Sequence, residues 1–274
     1  MFFRKSIAVL AAVAFAGTAL AQAWSEHDNP SLDVIYVPTP HAVVNRMLEL
    51  AKVGPDDIHY DLGSGDGRIA IAAVKDFKAK KAVGIDLDPQ RIRESMANLA
   101  KADVGERVTF LNKNIFETDF SEANVVSLYL LSTLNLKLRP TILNMRPGTR
   151  IVTQSFTMAE WEPDHFEAVD FEQNGHRGSR NVYLFIVPAK VEGSWVLTDG
   201  ARSIALDIKQ QFQRLSGTAE IGGKKTEIKE GWLNGASIAF IVEIDDKPVK
   251  YEGTVNGGAI IAKESSAAWS AKKT

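Results

Sequence analysis

One ten-residue segment, Tyr60–Ile69, constrains the fold of this 274-residue chain more than any other. It reads YDLGSGDGRI, so that a short strand runs directly into three glycines at alternate positions and a helical pattern follows. Glycines at such points let the backbone turn tightly and let a ligand approach where a Cβ would clash. The free N–H groups at the start of the following helix favour an anionic or polar ligand group. The segment therefore predicts a ligand-binding strand–turn–helix unit.

The residues around this unit alternate between the two-residue period of strands and the 3.6-residue period of helices. Helices are predicted at His41–Val53, Arg68–Val74, Pro89–Ala102 and Thr133–Met145, and strands at Ile58–Leu62, Ala82–Ile85, Val108–Leu111, Val125–Leu130, Ile151–Gln154 and Val182–Val187. Such alternation predicts an α/β fold with a doubly wound, mostly parallel sheet. Sheets of this kind bind ligands at the carboxyl ends of their strands, so the turns there form the candidate site.

A different pattern begins after Pro188. Short apolar runs at Ser203–Ile208, Thr226–Lys229, Ser237–Ile244 and Val249–Val255 are separated by glycine-rich and Asp/Pro-containing turns. This spacing predicts a small antiparallel β domain, either a sandwich or a barrel. Gly193-Ser194-Trp195 resembles the opening of lipocalin-like barrels, although about 80 residues is short for a barrel that holds a ligand. We therefore expect a small all-β domain over residues 193–264 and a flexible tail over residues 265–274.

The first 21 residues have the three parts of a secretory signal peptide. Arg4 and Lys5 form the basic start, Ile7–Ala16 the apolar centre, and Ala19-Leu20-Ala21 the small-residue end. The apolar centre is shorter than the about 20 residues of a membrane span. We expect cleavage after Ala21 and an exported protein, periplasmic or secreted, with no membrane span after cleavage. The alternatives are an uncleaved N-terminal anchor and a fortuitous Ala-rich start on a cytosolic enzyme.

Composition excludes several classes of site. The chain has no cysteine, which excludes disulfides, thiolate nucleophiles and Cys-ligated zinc, and which is compatible with an oxidising compartment. Its five histidines include no metal-binding pair at helical spacing, so no metal site is predicted. The 32 Lys and Arg nearly balance the 34 Asp and Glu, for a formal charge of -2. This balance gives no electrostatic reason to expect nucleic acid as a partner.

Two classes of cofactor fit the glycine turn. A nicotinamide or flavin dinucleotide needs G-x-G-x-x-G, but the third glycine falls one position early, at Gly67, and Arg68 follows it. This spacing disfavours a nicotinamide-dependent oxidoreductase. The other class is a nucleoside with an amino-acid end. Asp61 would attract its ammonium group. Asp86, at the end of the next strand, supports either class, because a carboxylate there would accept hydrogen bonds from both ribose hydroxyls.

The segment Asp61–Gly67, taken with Gly84-Ile85-Asp86, resembles the first two motifs of class I S-adenosylmethionine-dependent methyltransferases. The flanking segments Tyr36–Pro40 and Leu136–Pro140 are similar to those of the FAM173-type protein-lysine methyltransferases and their bacterial relatives. The resemblance covers about residues 34–188. It implies a Rossmann-like methyltransferase domain that uses S-adenosyl-L-methionine and methylates a protein amine, lysine. An exported protein that binds the cofactor or a partner without catalysis is the alternative.

The resemblance also implies a role for each matching residue. Asp61, Gly63 and Gly65 would cradle the methionine portion of the cofactor. Asp86 would hold the ribose, and Asn114 would bind the adenine amino group. The cofactor site would be completed by Ser64, Gly67, Leu87 and Ile115, and a lid over it would be formed by Tyr36 and Thr39. Tyr129, at the end of the fourth strand, would face the methyl group as the catalytic-site residue. Asn114 stands where the family usually has an acid, and its amide oxygen accepts the same hydrogen bond without charge.

The end of the fourth strand bears on the acceptor. Leu128–Ser132 departs from the Asn/Asp-Pro-Pro-Tyr/Phe sequence of enzymes that methylate adenine or glutamine amide nitrogens, which argues against those acceptors. No side chain is identified as a general base, since alignment and desolvation of a neutral amine suffice for attack on a sulfonium. For Asn114 and Tyr129, ordinary loop and core packing is the alternative interpretation.

Overall fold

The computed structural model describes residues 35–264 and 268–274. The signal peptide predicted over residues 1–21 lies outside these described residues. Within the described ranges, no helix is long and apolar enough to cross a membrane.

The helices and strands are as follows. The helices of the described residues are α1 (His41–Leu50), α2 (Arg68–Lys75), α3 (Pro89–Ala102) and α4 (Ser132–Ile142). The strands of the α/β region are β1 (Ile58–Leu62), β2 (Lys81–Asp86), β3 (Val108–Asn112), β4 (Val125–Leu128), β5 (Arg150–Gln154), β6 (His165–Gln173) and β7 (His176–Ile186). Those of the C-terminal region are β8 (Gly193–Asp199), β9 (Arg202–Gln211), β10 (Arg214–Ile221), β11 (Lys224–Glu227), β12 (Lys229–Asn234), β13 (Ser237–Ile244), β14 (Lys247–Asn256), β15 (Ala259–Ala262) and β16 (Trp269–Lys273).

The first seven strands form one sheet in the order β3-β2-β1-β4-β5-β7-β6. Strands β1 to β5 pair in parallel, whereas β7 runs antiparallel to both β5 and β6. The predicted α/β fold with a mostly parallel sheet is therefore confirmed. The strand order reverses between β1 and β4, which opens a crevice at their carboxyl ends.

Strand β1 shows how the sequence builds the two faces of this sheet. Its side chains alternate, so that Tyr60 and Leu62 enter the core on one face while His59 and Asp61 lie on the other. Helix α1 packs over β5, β6 and β7, and α2 over β1 and β2, through apolar stripes. Leu138 and Ile142 of α4 belong to the core on the opposite face. The buried polar side chains of β1 therefore lie next to the crevice and are surrounded by apolar residues.

Several predicted boundaries differ from the structure. Strand β4 ends at Leu128, two residues early, because the chain leaves the sheet there to start α4 at Ser132. Strand β7 begins at His176 rather than Val182, since its first half pairs only with β6. Strand β6 was not predicted. It lies at the edge of the sheet and alternates between half-buried and exposed residues, so its apolar residues are too sparse to signal a strand.

The C-terminal strands close into an antiparallel barrel. They follow the order β11-β10-β12-β13-β14-β15-β16-β8-β9, and β9 pairs with β10 to complete the ring. Strands β11 and β12 lie one after the other along β10, so the ring has eight positions. Alternate residues point inward, as in β13, where Ile238, Phe240, Val242 and Ile244 are buried. These side chains fill the interior together with Trp195, Tyr251 and Trp269.

Residues 268–274 contradict the flexible tail predicted over residues 265–274, whereas residues 265–267 lie outside the described residues. Trp269–Lys273 forms β16, which pairs with both β15 and β8. Trp269 is buried in the barrel core, where its ring meets Tyr251 and Phe240 edge-on. The residues around Trp269 are small and polar, so the sequence does not predict this strand. It finds its partners only when the barrel closes.

The barrel contacts the α/β region through the turn between β9 and β10. Phe212 at this turn stacks on Trp161 with ring centroids 6.0 Å apart, and the Arg139 guanidinium lies 5.4 Å from its ring. The Gln213 side chain donates a hydrogen bond of 2.7 Å to the Glu162 carbonyl. These contacts hold the loop between β5 and β6, which carries Trp161 and Glu162.

Candidate active site

The predicted site residues meet in one cavity of about 360 Å³ at the switch point of the sheet. Its walls include most of the predicted set, namely Tyr36, Thr39, Asp61, Gly63, Ser64, Asp86, Leu87, Asn114, Ile115 and Tyr129. These residues come from the segment before α1 and from the ends of β1, β2, β3 and β4. The carboxyl ends of neighbouring parallel strands lie side by side, and this geometry brings the residues together.

Gly65 and Gly67 are not part of the cavity wall, although both belong to the predicted set. Gly65 has a φ of +54°, and a Cβ there would lie 2.4 Å from the Tyr36 ring. Gly67 has a φ of +81°, and its Cβ would meet Phe110 at 2.4 Å and Ser95 at 2.8 Å. The two glycines therefore let the turn pack closely against its neighbours. Their predicted contact with a cofactor stays a prediction.

Asp61 lies at the floor of the cavity and is buried. Its Oδ1 accepts a hydrogen bond of 2.6 Å from Ser127, while its Oδ2 has no partner among the described residues. Burial raises the pKa of Asp61 to about 7, helped by the nearby carboxylates of Asp86 and Asp66, while the hydrogen bond from Ser127 acts in the opposite direction. A cationic group in the cavity would stabilise the ionised form and satisfy the free oxygen.

A histidine lies behind Asp61. The Ser127 hydroxyl also lies 3.0 Å from Nε2 of His59, and all three side chains are buried. Burial lowers the pKa of His59 to about 3, so the ring is neutral. With Asp61 ionised, Ser127 donates its proton to the carboxylate and accepts one from His59. His59 and Ser127 therefore fix the orientation of Asp61.

Asp86 joins the glycine turn to the start of α3. Its Oδ2 accepts a hydrogen bond from the Gly65 N–H at 2.8 Å, and its Oδ1 accepts one from the Asp88 N–H at 2.9 Å. A carboxylate has about four lone-pair positions, so both oxygens still accept further hydrogen bonds from hydroxyl groups. Asp88 acts as the N-cap of α3 by accepting from the Gln90 N–H at 2.7 Å, which leaves Asp86 turned to the cavity.

The segment Ile35–Pro40 crosses the cavity as a strap. Arg68 holds it by donating a hydrogen bond of 2.8 Å to the Thr39 carbonyl, and Asp66 fixes Arg68 through an ion pair of 2.6 Å. The Arg91 guanidinium stacks over the Tyr36 ring at 4.6 Å from its centroid. The predicted lid residues Tyr36 and Thr39 therefore line the cavity, and their role as a lid over the cofactor stays a prediction.

The two residues with an alternative interpretation have local partners. Asn114 accepts a hydrogen bond from the Phe116 N–H at 3.0 Å and donates one to Glu117 at 3.1 Å, so its amide shapes the turn after β3. Tyr129 stacks on Phe156 with centroids 6.2 Å apart. Both residues nevertheless line the cavity, so their predicted contacts with adenine and with the methyl group stay predictions.

Sequence reasoning missed part of this site. Asp66, Arg68 and Arg91 line the cavity and fix the strap, and Ser127 orients Asp61. One signal was present for Arg68, because it occupies the position at which the glycine spacing departs from the dinucleotide motif. Ser127 left no signal, since a serine inside an apolar strand shows its partner only once β1 and β4 are paired.

The arrangement defines a class of site. The cavity offers a buried carboxylate with a free oxygen at one end, a second carboxylate at the end of β2, and an apolar wall of Ile115 and Phe116. S-adenosylmethionine carries an ammonium group, two ribose hydroxyls and a flat adenine ring, so these residues fit it. A dinucleotide fits less well, because its pyrophosphate would meet the carboxylates of Asp61, Asp66 and Asp86.

Comparison with known proteins supports the same class. Residues 61–165 match the family model of the ANTKMT methyltransferase domain. A protein-lysine N-methyltransferase of Saccharolobus islandicus is 47% identical over 155 residues, which are 56% of this chain and 94% of that protein. The adenine nucleotide translocase lysine N-methyltransferase of Mus musculus is 28% identical over 133 residues, which are 48% of this chain and 57% of that protein.

A solved structure agrees with these relatives. The RNA methyltransferase of Salinibacter ruber, in complex with S-adenosyl-L-homocysteine, has 43% sequence identity and a TM-score of 0.50, and the match covers 57% of this chain and 96% of that one. The chain belongs to the class I S-adenosylmethionine-dependent methyltransferases, in the family that includes the protein-lysine N-methyltransferases. The protein is thus an enzyme that uses S-adenosylmethionine, as the motifs around Asp61 and Asp86 predicted.

Proposed function

We propose that this enzyme methylates lysine side chains of a protein acceptor. The observation that carries the proposal is the 47% identity, over 94% of its length, to a protein-lysine N-methyltransferase. The site agrees with it, because the chain has the carboxylates that suit the cofactor and lacks the Asn/Asp-Pro-Pro sequence of amide methylation at Leu128–Ser132. When bound, the cofactor supplies a methyl group on a positively charged sulfur.

The residues of the chain then bind and orient the reactants. Asp61 would hold the ammonium group of the cofactor, with Ser127 fixing the carboxylate, and Asp86 would hold its ribose. The strap Ile35–Pro40 would exclude water from the side of the cofactor cavity that it lines. The acceptor amine must arrive neutral, and a dry site favours loss of its proton because burial destabilises the charged form.

The test measures binding and transfer separately. The purified protein should bind S-adenosylhomocysteine in calorimetry, and Asp86→Ala should weaken that binding by at least tenfold. With tritiated S-adenosylmethionine and the protein fraction of a cell extract, label should appear in protein, and mass spectrometry should place it on lysine. Binding without any transfer would favour a non-catalytic binding protein, and no binding at millimolar concentration would contradict the enzyme itself.

A nucleic-acid acceptor is a second candidate, because the Salinibacter relative at 43% identity is described as an RNA methyltransferase. The formal charge of -2 argues against it, since RNA-binding surfaces are usually basic. The RNA fraction of the same extract, incubated in parallel, distinguishes the two. Label in RNA and none in protein would replace lysine by a nucleotide as the acceptor.

We also propose that the protein is exported, with residues 1–21 as its signal peptide. The basic start, the apolar run Ile7–Ala16 and the Ala19-Leu20-Ala21 end support this. The cofactor is made in the cytosol, so export would require a supply of it elsewhere. Cell fractionation with antibody detection, and N-terminal sequencing of the isolated protein, test the proposal: a mature chain starting at Gln22 is expected, and a cytosolic chain starting at Met1 would contradict it.

A further inference from the structure

A second cavity of about 380 Å³ adjoins the cofactor cavity. Val37, Pro38 and Tyr129 contribute to the walls of both, so the strap and Tyr129 separate them. The far side of the second cavity is the β6–β7 hairpin, which provides Phe171 and His176. A group lying in this cavity would be separated from the cofactor cavity by Tyr129 and the strap.

Gln154, the last residue of β5, belongs to the wall of the second cavity and is only 1% exposed. Neither its amide oxygen nor its amide nitrogen has a hydrogen-bond partner among the described residues. Leaving both atoms of a buried amide unpaired is unfavourable, because each has given up its hydrogen bonds to water. A ligand in the second cavity would supply the missing partners of this amide.

Local structure explains why Gln154 is held in this state. The backbone turns sharply after it, with Ser155 at a φ of +63° and the Phe156 N–H bonded to the Gln154 carbonyl at 2.7 Å. The Thr153 hydroxyl closes the same turn by donating to the Phe156 carbonyl at 2.6 Å. The Gln154 side chain is therefore attached to a fixed backbone. To bind an incoming group, the amide would have to rotate about its own side-chain bonds toward the cavity.

We propose that the second cavity is the acceptor site and that Gln154 binds the lysine amine. This inference rests on the proposed lysine methyltransferase function. The amide oxygen would accept an N–H of the amine and leave its lone pair for the methyl group. Tyr129 and Phe171 provide apolar walls for the methylene stem of the lysine.

The charges that line the second cavity are basic: Arg177 and Arg180 contribute to its wall, and no carboxylate does. Arg177 forms an ion pair with Glu172 at 2.9 Å, and the Arg180 guanidinium stacks on the Phe171 ring at 5.1 Å. Both arginines therefore have a partner within the hairpin, and the form of the lysine amine that suits this wall is the neutral one. The hairpin is also fixed to the start of α1, because the Gln173 side chain accepts a hydrogen bond from the His41 N–H at 3.1 Å.

The experiment uses N-acetyl-lysine methylamide as the probe, since it carries the amine and both flanking peptide groups. Saturation-transfer NMR measures its binding to the full chain saturated with S-adenosylhomocysteine. Wild type should bind it saturably, and Gln154→Met, which keeps the shape and removes the amide, should weaken binding at least tenfold. The matched control Gln211→Met changes an exposed glutamine of the barrel and should behave as wild type.

Two further readouts separate binding from a structural role. Gln154→Met should leave the affinity for S-adenosylhomocysteine within twofold of wild type and should keep or raise the Tm, because a buried unpaired amide is replaced by an apolar group. A lower Tm with unchanged probe binding would overturn the proposal. The proposal would also be overturned if wild type bound adenosine monophosphate and not the lysine probe, and if Gln154→Met abolished that binding. Failure of wild type to bind S-adenosylhomocysteine contradicts the proposed function itself, and is measured first.

Discussion

The two halves of the molecule bury very different side chains. Among the described residues, eleven of the twelve buried polar or charged side chains lie in the α/β region, and only Gln213 lies in the barrel. The barrel core consists otherwise of apolar and aromatic residues. Buried polar groups lower stability unless they find partners, so a protein keeps them where a ligand needs them. Four of the eleven, Thr39, Asp61, Ser64 and Gln154, line the two cavities of the α/β region.

The largest effect should come from the barrel core. Phe240 lies among Tyr251 and Trp269, with ring centroids 5.5 Å and 6.1 Å away. Phe240→Ala should lower the free energy of unfolding by about 3–5 kcal/mol, because it removes a buried ring and leaves a cavity. Urea denaturation measures this loss. The affinity for S-adenosylhomocysteine, measured on the folded fraction, should stay within twofold of wild type; a parallel loss would show that the barrel supports the cofactor site.

Asp61→Asn should have the opposite effects: it should weaken cofactor binding and should not lower the stability. This change removes the buried charge that would pair with the ammonium group, so the affinity for S-adenosylhomocysteine should fall about 100-fold, or about 2.7 kcal/mol. The Tm should stay the same or rise, because an unpaired buried carboxylate is no longer desolvated. Calorimetry and thermal unfolding check both expectations. Asp207→Asn, an exposed acid of β9, is the control and should change neither value; a drop in Tm for Asp61→Asn alone would make Asp61 a structural residue.

Removing a contact between the α/β region and the barrel should have an effect of intermediate size on the free energy of unfolding. Phe212→Ala removes the stack on Trp161 and the Arg139 contact. It should lower the free energy of unfolding by about 1–2 kcal/mol, less than a fully buried ring, because Phe212 is only half-buried. Since the loop it holds follows Gln154, kcat/KM for the acceptor should fall more than the affinity for S-adenosylhomocysteine. Equal losses in both would mean that the loop does not act on the acceptor side.

The sequence predicts the two halves unequally, for a physical reason. The predicted limits of β1, α3 and β13 agree with the structure, because an apolar period and clear turn residues bound each of them. Strands β8, β10, β12, β15 and β16 were not predicted, and the run predicted at Thr226–Lys229 spans the break between β11 and β12. Each is short or alternates with polar residues, and becomes a strand only through its neighbours in the closed ring. Local patterns fix local elements, and barrel closure is a long-range property.

The same distinction applies to the site. Asp61 and Asp86 were predicted because chemistry and spacing identify them along the chain. Gln154, Ser127 and Arg91 were not, since their importance depends on which partners they have or lack after folding. An unpaired amide is a tertiary property, so a sequence shows a glutamine and not its missing partners.

Acid should weaken cofactor binding. The pKa of Asp61 is raised by burial to about 7 from an ordinary 3.8, and the ionised form binds the ammonium group. The affinity for S-adenosylhomocysteine should therefore be roughly tenfold lower at pH 6 than at its maximum between about pH 7 and 8, above which an α-amino group also loses its proton. Without ligand, the native protein holds this proton to higher pH than the unfolded chain, so Asp61 lowers the free energy of unfolding as the pH rises from about 4 to about 7. Calorimetry across this range tests the first statement, and Asp61→Asn should remove the dependence.

The smallest expected effect concerns a cation–aromatic contact, which occurs in both the α/β region and the barrel. Arg91 stacks over Tyr36 at 4.6 Å in the strap, and Lys273 lies 5.8 Å from the Trp195 ring in the barrel. A double-mutant cycle with Arg91→Gln and Tyr36→Leu should give a coupling of about 0.5–1 kcal/mol in the affinity for S-adenosylhomocysteine, because the cation holds the ring over the cavity. Lys273→Gln should leave that affinity unchanged and alter only the Tm. If the strap cycle gave no coupling while both single variants weakened binding, Tyr36 and Arg91 would contact the cofactor independently, and the strap would not act as one unit.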